Sequence, residues 1–103
     1  MPEVEYDRPL SEDVRKRHYH KTERGQVVDF VVQLEVKVEQ TWKPVIRYDC
    51  AHGFAHKDCY NLREERKKER LELNYKEALI LADSDTNDNW ETYRRRFLEG
   101  EYP

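Results

Sequence analysis

The sequence predicts an α+β domain: an antiparallel sheet of three to five strands, with one long C-terminal helix packed on one face. Two observations predict it. From Val28 to Val38 apolar residues recur at every second position (Val28, Phe30, Val32, Leu34, Val36, Val38), with Asp29, Gln33, Glu35 and Lys37 in the other phase. That period is the signature of a strand with one buried face, and one-sided burial belongs to antiparallel rather than parallel sheets. From Tyr75 onward the period changes. Tyr75, Ala78, Leu79, Ala82, Thr86, Trp90, Tyr93 and Phe97 share one helical stripe, and a run of strands followed by one amphipathic helix places that helix over the sheet.

The other elements follow in order. Residues 1–13 are acidic, hold Pro2 and Pro9 and show no periodicity, which predicts a flexible tail ahead of a single domain over residues 14–99, with 100–103 as a second tail. Arg15–Thr22 is a candidate strand that ends at the turn Glu23-Arg24-Gly25. Trp42–Asp49 follows a turn at Gln40-Thr41, and Pro44 marks an edge or a bulge. Cys50–Phe54 is a loop around Gly53. His56–Tyr60 and Lys67–Leu73 read as a further hairpin, because no apolar stripe supports a helix between Leu62 and Arg70. Asn74 stands as a helix N-cap with Glu77 in capping-box position. A helix over 75–98 is roughly 36 Å long at ~1.5 Å per residue. The run Asp83–Asn89 holds poor helix formers and is a candidate break.

Composition excludes several classes. Lysine and arginine number 19 against 22 aspartate and glutamate, a net charge of −3, so no global field steers the chain toward nucleic acid. The basic residues still cluster, at 15–24, 63–70 and 94–96. The acidic N-terminus lacks the apolar core of a signal peptide, and no apolar run reaches the ~20 residues of a membrane span. Two cysteines make no disulfide framework, and the expected location is the cytoplasm, with no membrane partner.

Chemically useful side chains concentrate in Arg47–Asp58. An arginine can clamp a phosphate, and two histidines near an acid can exchange protons at neutral pH. Arg47, Asp49, His52 and His56 are therefore the candidate catalytic set for a metal-independent ribonuclease that uses the 2′-hydroxyl of RNA as its nucleophile. The same stretch also reads as structural, with Asp49 capping the loop turn and Gly53 supplying a positive φ.

Register separates these readings. Pairing Val36 with Ile46 puts Arg47 opposite Glu35 and Asp49 opposite Gln33 on the wet face. Pairing Val36 with Val45 turns both charges toward the core. Cys50, His52, His56 and Cys59 offer a C-x-H-x3-H-x2-C zinc alternative, crowded by the standard of structural sites. His18 and His20 share one face of the first predicted strand. With Tyr19 turned to the core, they fall on the wet face beside Gln33 and Glu35, and with Lys57 they are candidate RNA contacts. Asp83-x-Asp85-x-Asn87 imitates a calcium loop, but Asp88 replaces its glycine and Arg94 its glutamate, which excludes an EF-hand.

Trp42, Val45–Asp49, Ala51–Asp58, Trp90, Tyr93, Arg96 and Phe97 together resemble a family of small uncharacterised archaeal and bacterial proteins with a Trp-x-x-Val-Ile-Arg-Tyr-Asp…Ala-His-Gly-Phe-Ala-His-x-Asp pattern. The resemblance spans about residues 15–99. It brings no activity with it, and its pattern does not require cysteine at 50 or 59. Residues 47–57 are also distantly similar to TumE-type toxins. That similarity implies a ribonuclease-like toxin component with RNA as substrate and a cognate antitoxin as partner, and no cofactor. A non-catalytic protein-interaction domain and a small zinc-binding domain are the alternatives.

Overall fold

The computed structural model describes residues 2–103. The chain runs β1 (Glu3–Ser11), β2 (Val14–Glu23), β3 (Gln26–Val38), β4 (Thr41–Asp49), β5 (His56–Tyr60), β6 (Arg66–Arg70) and α1 (Tyr75–Leu98). Each strand pairs antiparallel with the next, giving one sheet in the order β1-β2-β3-β4-β5-β6. The α+β class and the C-terminal helix agree with the sequence; the number of strands is six rather than three to five.

The added strand lies in the stretch expected to be a tail. β1 is solvated along nearly its whole length, so it has no apolar phase to reveal it. Its pairing with β2 sets Glu3 opposite Lys21 and Asp7 opposite Arg17. Opposite charges in cross-strand positions stabilise such a ribbon where hydrophobic burial does not. The acidic 1–13 and basic 15–24 segments are therefore two halves of one hairpin.

Both long hairpins close on two-residue turns with positive φ, Arg24-Gly25 (51° and 76°) and Glu39-Gln40 (50° and 68°). This is the type I′ pattern that matches strand twist. The second turn sits one residue earlier than the sequence implied, and Val38 pairs with Thr41. A bulge then intervenes between Glu35↔Pro44 and Leu34↔Ile46, which leaves Val45 as the extra residue beside Pro44. Neither expected register is realised. Val36 faces Lys43, Gln33 faces Arg47, and Val31 faces Asp49. Because the shift from the first of those registers is two residues, Arg47 and Asp49 keep the face away from the helix.

The helix-side face carries the core: Phe30, Val32, Leu34, Val36 and Ile46 against Ala78, Leu79, Ala82 and Phe97. Asn74 and Glu77 complete both halves of the capping box. The helix does not break at Asp83–Asn89, because the acids there are bound by the sheet, and tertiary contacts outweigh weak propensity. Asp83 contacts Lys16 (2.7 Å) and His18 (3.1 Å). Asp85 accepts from Tyr48 (2.5 Å), Tyr93 (2.6 Å) and Asn89 (2.8 Å), with Lys57 at 3.9 Å.

Burial opposes the charge on Asp85, but these donors outweigh it and hold its carboxyl below the usual carboxylate range. Burial, reinforced by Asp85, pushes the Tyr48 and Tyr93 hydroxyls up. Removing Asp85 strands the hydroxyl of fully buried Tyr48, so Asp85→Ala should cost about 2–3 kcal/mol in urea unfolding. A carboxyl whose folded pKa is depressed contributes stability above its unfolded value of ~4, and that contribution fades as pH falls through the folded value. Asp85→Asn should therefore flatten the acid limb of the stability curve. An unchanged limb would show that the carboxylate does not carry the acid sensitivity.

Candidate active site on the helix-free face

The face opposite α1 is organised by register into two rows that cross all six strands. One row reads Asp7, Arg17, Gln33, Arg47, Asp58, Lys68, and the other Glu5, Tyr19, Val31, Asp49, His56, Arg70. Side chains alternate across a strand, so paired residues share a face.

Arg47 is the hub of the first row. Its Nε lies 2.5 Å from Asp49 Oδ2, and its Nη1 donates to Gln33 Oε1 at 3.2 Å. Gln33 in turn donates to Glu35 at 2.5 Å, and Arg15 holds the other oxygen of Glu35 at 2.6 Å. The second oxygen of Asp49 faces His56 Nε2 at 2.5 Å, and His56 Nδ1 looks toward Asp58 Oδ1 at 3.7 Å. Neither contact is aligned as a hydrogen bond, so both ring nitrogens of His56 and Asp58 Oδ1 are buried without one. These contacts lie in a nearly dry place: Asp49, His56 and Asp58 are each under 5 % exposed.

The loop between β4 and β5 helps to close this place. Gly53 N donates to the Cys50 carbonyl at 3.1 Å with φ of 85°, and the Ala51 amide reaches Asp49 Oδ1 at 3.4 Å. Both features match the expected loop chemistry. The turn stacks exposed His52 on buried His56, with ring centroids 5.8 Å apart at 24°. Phe54 stands 5.7 Å from His56 and carries the Arg70 guanidinium at 4.5 Å. A shallow groove of about 230 Å³ beside Arg47 is lined by Asp7, Arg17, Tyr19 and Gln33.

The structure thus brings Arg47, Asp49, His52 and His56 together and sends the other candidates elsewhere. His18 pairs with Val32 and His20 with Phe30, on the helix side, while Tyr19 turns outward. This reverses the expected orientation. The reason is that β2 buries Val14, Lys16 and His18 under the helix, so its core phase is written largely in polar residues. His18 sits between Asp83 and His20 Nδ1 (2.7 Å), under the ring of Tyr6. Burial lowers its pKa despite Asp83. Lys57 pairs with Tyr48 and also belongs to the helix side.

The four zinc candidates do not converge. Cys59 lies opposite Ile46 on the helix side, whereas His56 lies opposite Asp49 on the other. Burial pushes the Cys50 thiol up to about 11 and raises Cys59 as well. Among the described residues no three His, Cys, Asp or Glu side chains form a metal-holding group. Asp58, the last residue of the Arg47–Asp58 stretch, and Gln33 and Glu35, expected as wet-face neighbours, join the cluster although the sequence assigned them no catalytic role.

These features define a class: a small antiparallel α+β domain whose helix-free face holds an Arg–Asp–His cluster under a His-Gly-Phe loop. The chain belongs to DUF7718, a domain family of unknown function, whose model matches residues 1–103. No curated protein and no solved structure is significantly similar to it. No helix among the described residues is long and apolar enough to cross a membrane.

Proposed function

We propose that the helix-free face is a metal-independent ribonuclease site, of the kind a toxin component of a toxin–antitoxin pair would carry. The observation that supports this is the cluster Arg47–Asp49–His56–His52, joined by a hydrogen bond, a close carboxylate–imidazole contact and a ring stack, which runs from a surface groove to an exposed imidazole. In this reading Arg47, with its side chain 37 % exposed, pairs with the scissile phosphate. His52 takes the proton from the 2′-hydroxyl as that oxygen attacks phosphorus. It then returns the proton to the 5′-oxygen as the P–O5′ bond breaks. The products carry a 2′,3′-cyclic phosphate and a 5′-hydroxyl. His56, with a carboxylate at each ring nitrogen, is a positioning residue that supports His52 from below. A cognate antitoxin would act by covering Arg47 and His52.

The test is incubation of the purified chain with single-stranded RNA, with and without chelator, alongside the same oligonucleotide in deoxyribose form. Cleavage of RNA only, unaffected by chelator and leaving cyclic phosphate ends, is the expected result. Loss of cleavage with chelator, or 5′-phosphate ends, would assign the chemistry to a metal-activated water instead. No cleavage under any condition would remove the enzyme reading and favour a protein-interaction domain.

A further inference from the structure

The two edges of the sheet carry opposite charge on the same face. On the helix-free face β1 presents Glu3, Glu5 and Asp7, while β6 presents Arg66, Lys68 and Arg70. All five residues of β6 are solvated, and β1 is solvated along nearly its whole length. Each edge offers unpaired backbone N–H and C=O groups to an incoming strand. We infer that β1 of one copy of this chain pairs with β6 of another, extending the sheet head to tail.

Direction and register both allow it. Six strands alternate in direction, so a second copy in the same orientation brings its β1 antiparallel to β6. In one register Asp7 meets Arg66, Glu5 meets Lys68 and Glu3 meets Arg70, three opposite-charge pairs in a row. The same register sets Tyr6 and Val4 beside Lys67 and Glu69. Tyr6 and Val4 are among the large apolar side chains left exposed, at 42 % and 41 %. The alternatives are penalised: β6 on β6 juxtaposes cations, and β1 on β1 juxtaposes carboxylates. The helices do not collide. Successive copies lie six strands apart, roughly 29 Å at ~4.8 Å per strand, against a helix diameter of ~10–12 Å.

Light scattering across a concentration series tests this with the whole chain. The expected result is an average mass that rises with concentration and falls back toward the monomer between ~0.05 M and ~0.5 M salt, since exposed pairs are screened. Glu5→Lys and Lys68→Glu should each weaken association by about tenfold or more, and the double variant should restore it. Circular dichroism checks that each variant folds. Should Lys68→Glu perturb the strand through nearby Asp58, Glu5→Lys alone still reads the edge. A monomer at all concentrations, or association indifferent to both charge reversals, would overturn the inference.

Discussion

His52→Ala is expected to reduce cleavage of RNA by ~10²–10⁴-fold, the range that a positioned proton-transfer group supplies, while leaving the unfolding midpoint nearly unchanged. The second half of that expectation is what makes it a test of chemistry. His52 is exposed and contacts the site mainly by stacking on His56, so its removal subtracts little packing. Arg47→Ala should act differently. It removes the cation beside the groove and releases Asp49 and Gln33, so KM rises along with the loss in kcat. Arg47→Lys keeps the charge but not the fork that reaches Asp49 and Gln33 together, and should recover only part of the activity. His56→Ala should lower both activity and stability, because Asp49 and Asp58 lose the one imidazole that lies between them and a buried cavity opens. If His52→Ala cleaves like the wild type while His56→Ala does not, proton exchange belongs to the buried ring and the loop must move to admit substrate. If neither variant changes the rate, this face is not catalytic.

The elements legible in the sequence were those written in apolar residues. The thirteen-residue β3 declares itself through period two, and α1 through its stripe and its Asn74–Glu77 cap. β1 left no such trace because its pairing is electrostatic, and β2 misled because Lys16 and His18 occupy positions where hydropathy places no residue of the core. Those two side chains are tolerated under the helix only because Asp83 and Asn87 meet them there. Those partners lie 65 to 71 residues away in sequence, and no local pattern announces them.

The site was legible for a different reason. Arg47, Asp49, His56 and Asp58 alternate with Tyr48 and Lys57 on adjoining strands, so any register of even shift puts them on one face. The bulge at Val45 changed which residues they oppose without changing that face. What the spacing alone did not reveal is depth. The register that keeps Asp49 on the helix-free face implied a wet carboxylate, yet the loop through His52 and Phe54 folds back beside Asp49 and His56. Depth depends on where the six-residue connection from Cys50 to Ala55 lies, which is set by Gly53 and by the reach of Arg70 rather than by strand periodicity.

The buried Lys16 yields the sharpest stability asymmetry in the molecule. Its ammonium is almost fully enclosed and rests on Asp83 Oδ1 (2.7 Å) and Asn87 Oδ1 (3.1 Å), while Asp83 itself is about one-third exposed. Asp83→Ala should therefore cost about 3 kcal/mol, toward the lower end for breaking a buried ion pair, since Lys16 is left charged in a dry place with one neutral acceptor. Burial already disfavours charge on His18, and with Asp83 gone its ring would lose the one group opposing that effect. Lys16→Met should behave in the opposite way. Methionine fills a similar volume without a charge to desolvate, and Asp83 keeps His18 and access to water. Replacing a buried ion by a well-packed apolar side chain is often neutral or stabilising, so a change within about 1 kcal/mol is expected. Urea unfolding of the two variants decides the matter. Equal losses would mean that the pair stabilises the fold through mutual attraction. A large loss for Asp83→Ala and little for Lys16→Met would mean that Asp83 is there to neutralise a lysine that β2 buries for the sake of its register under the helix.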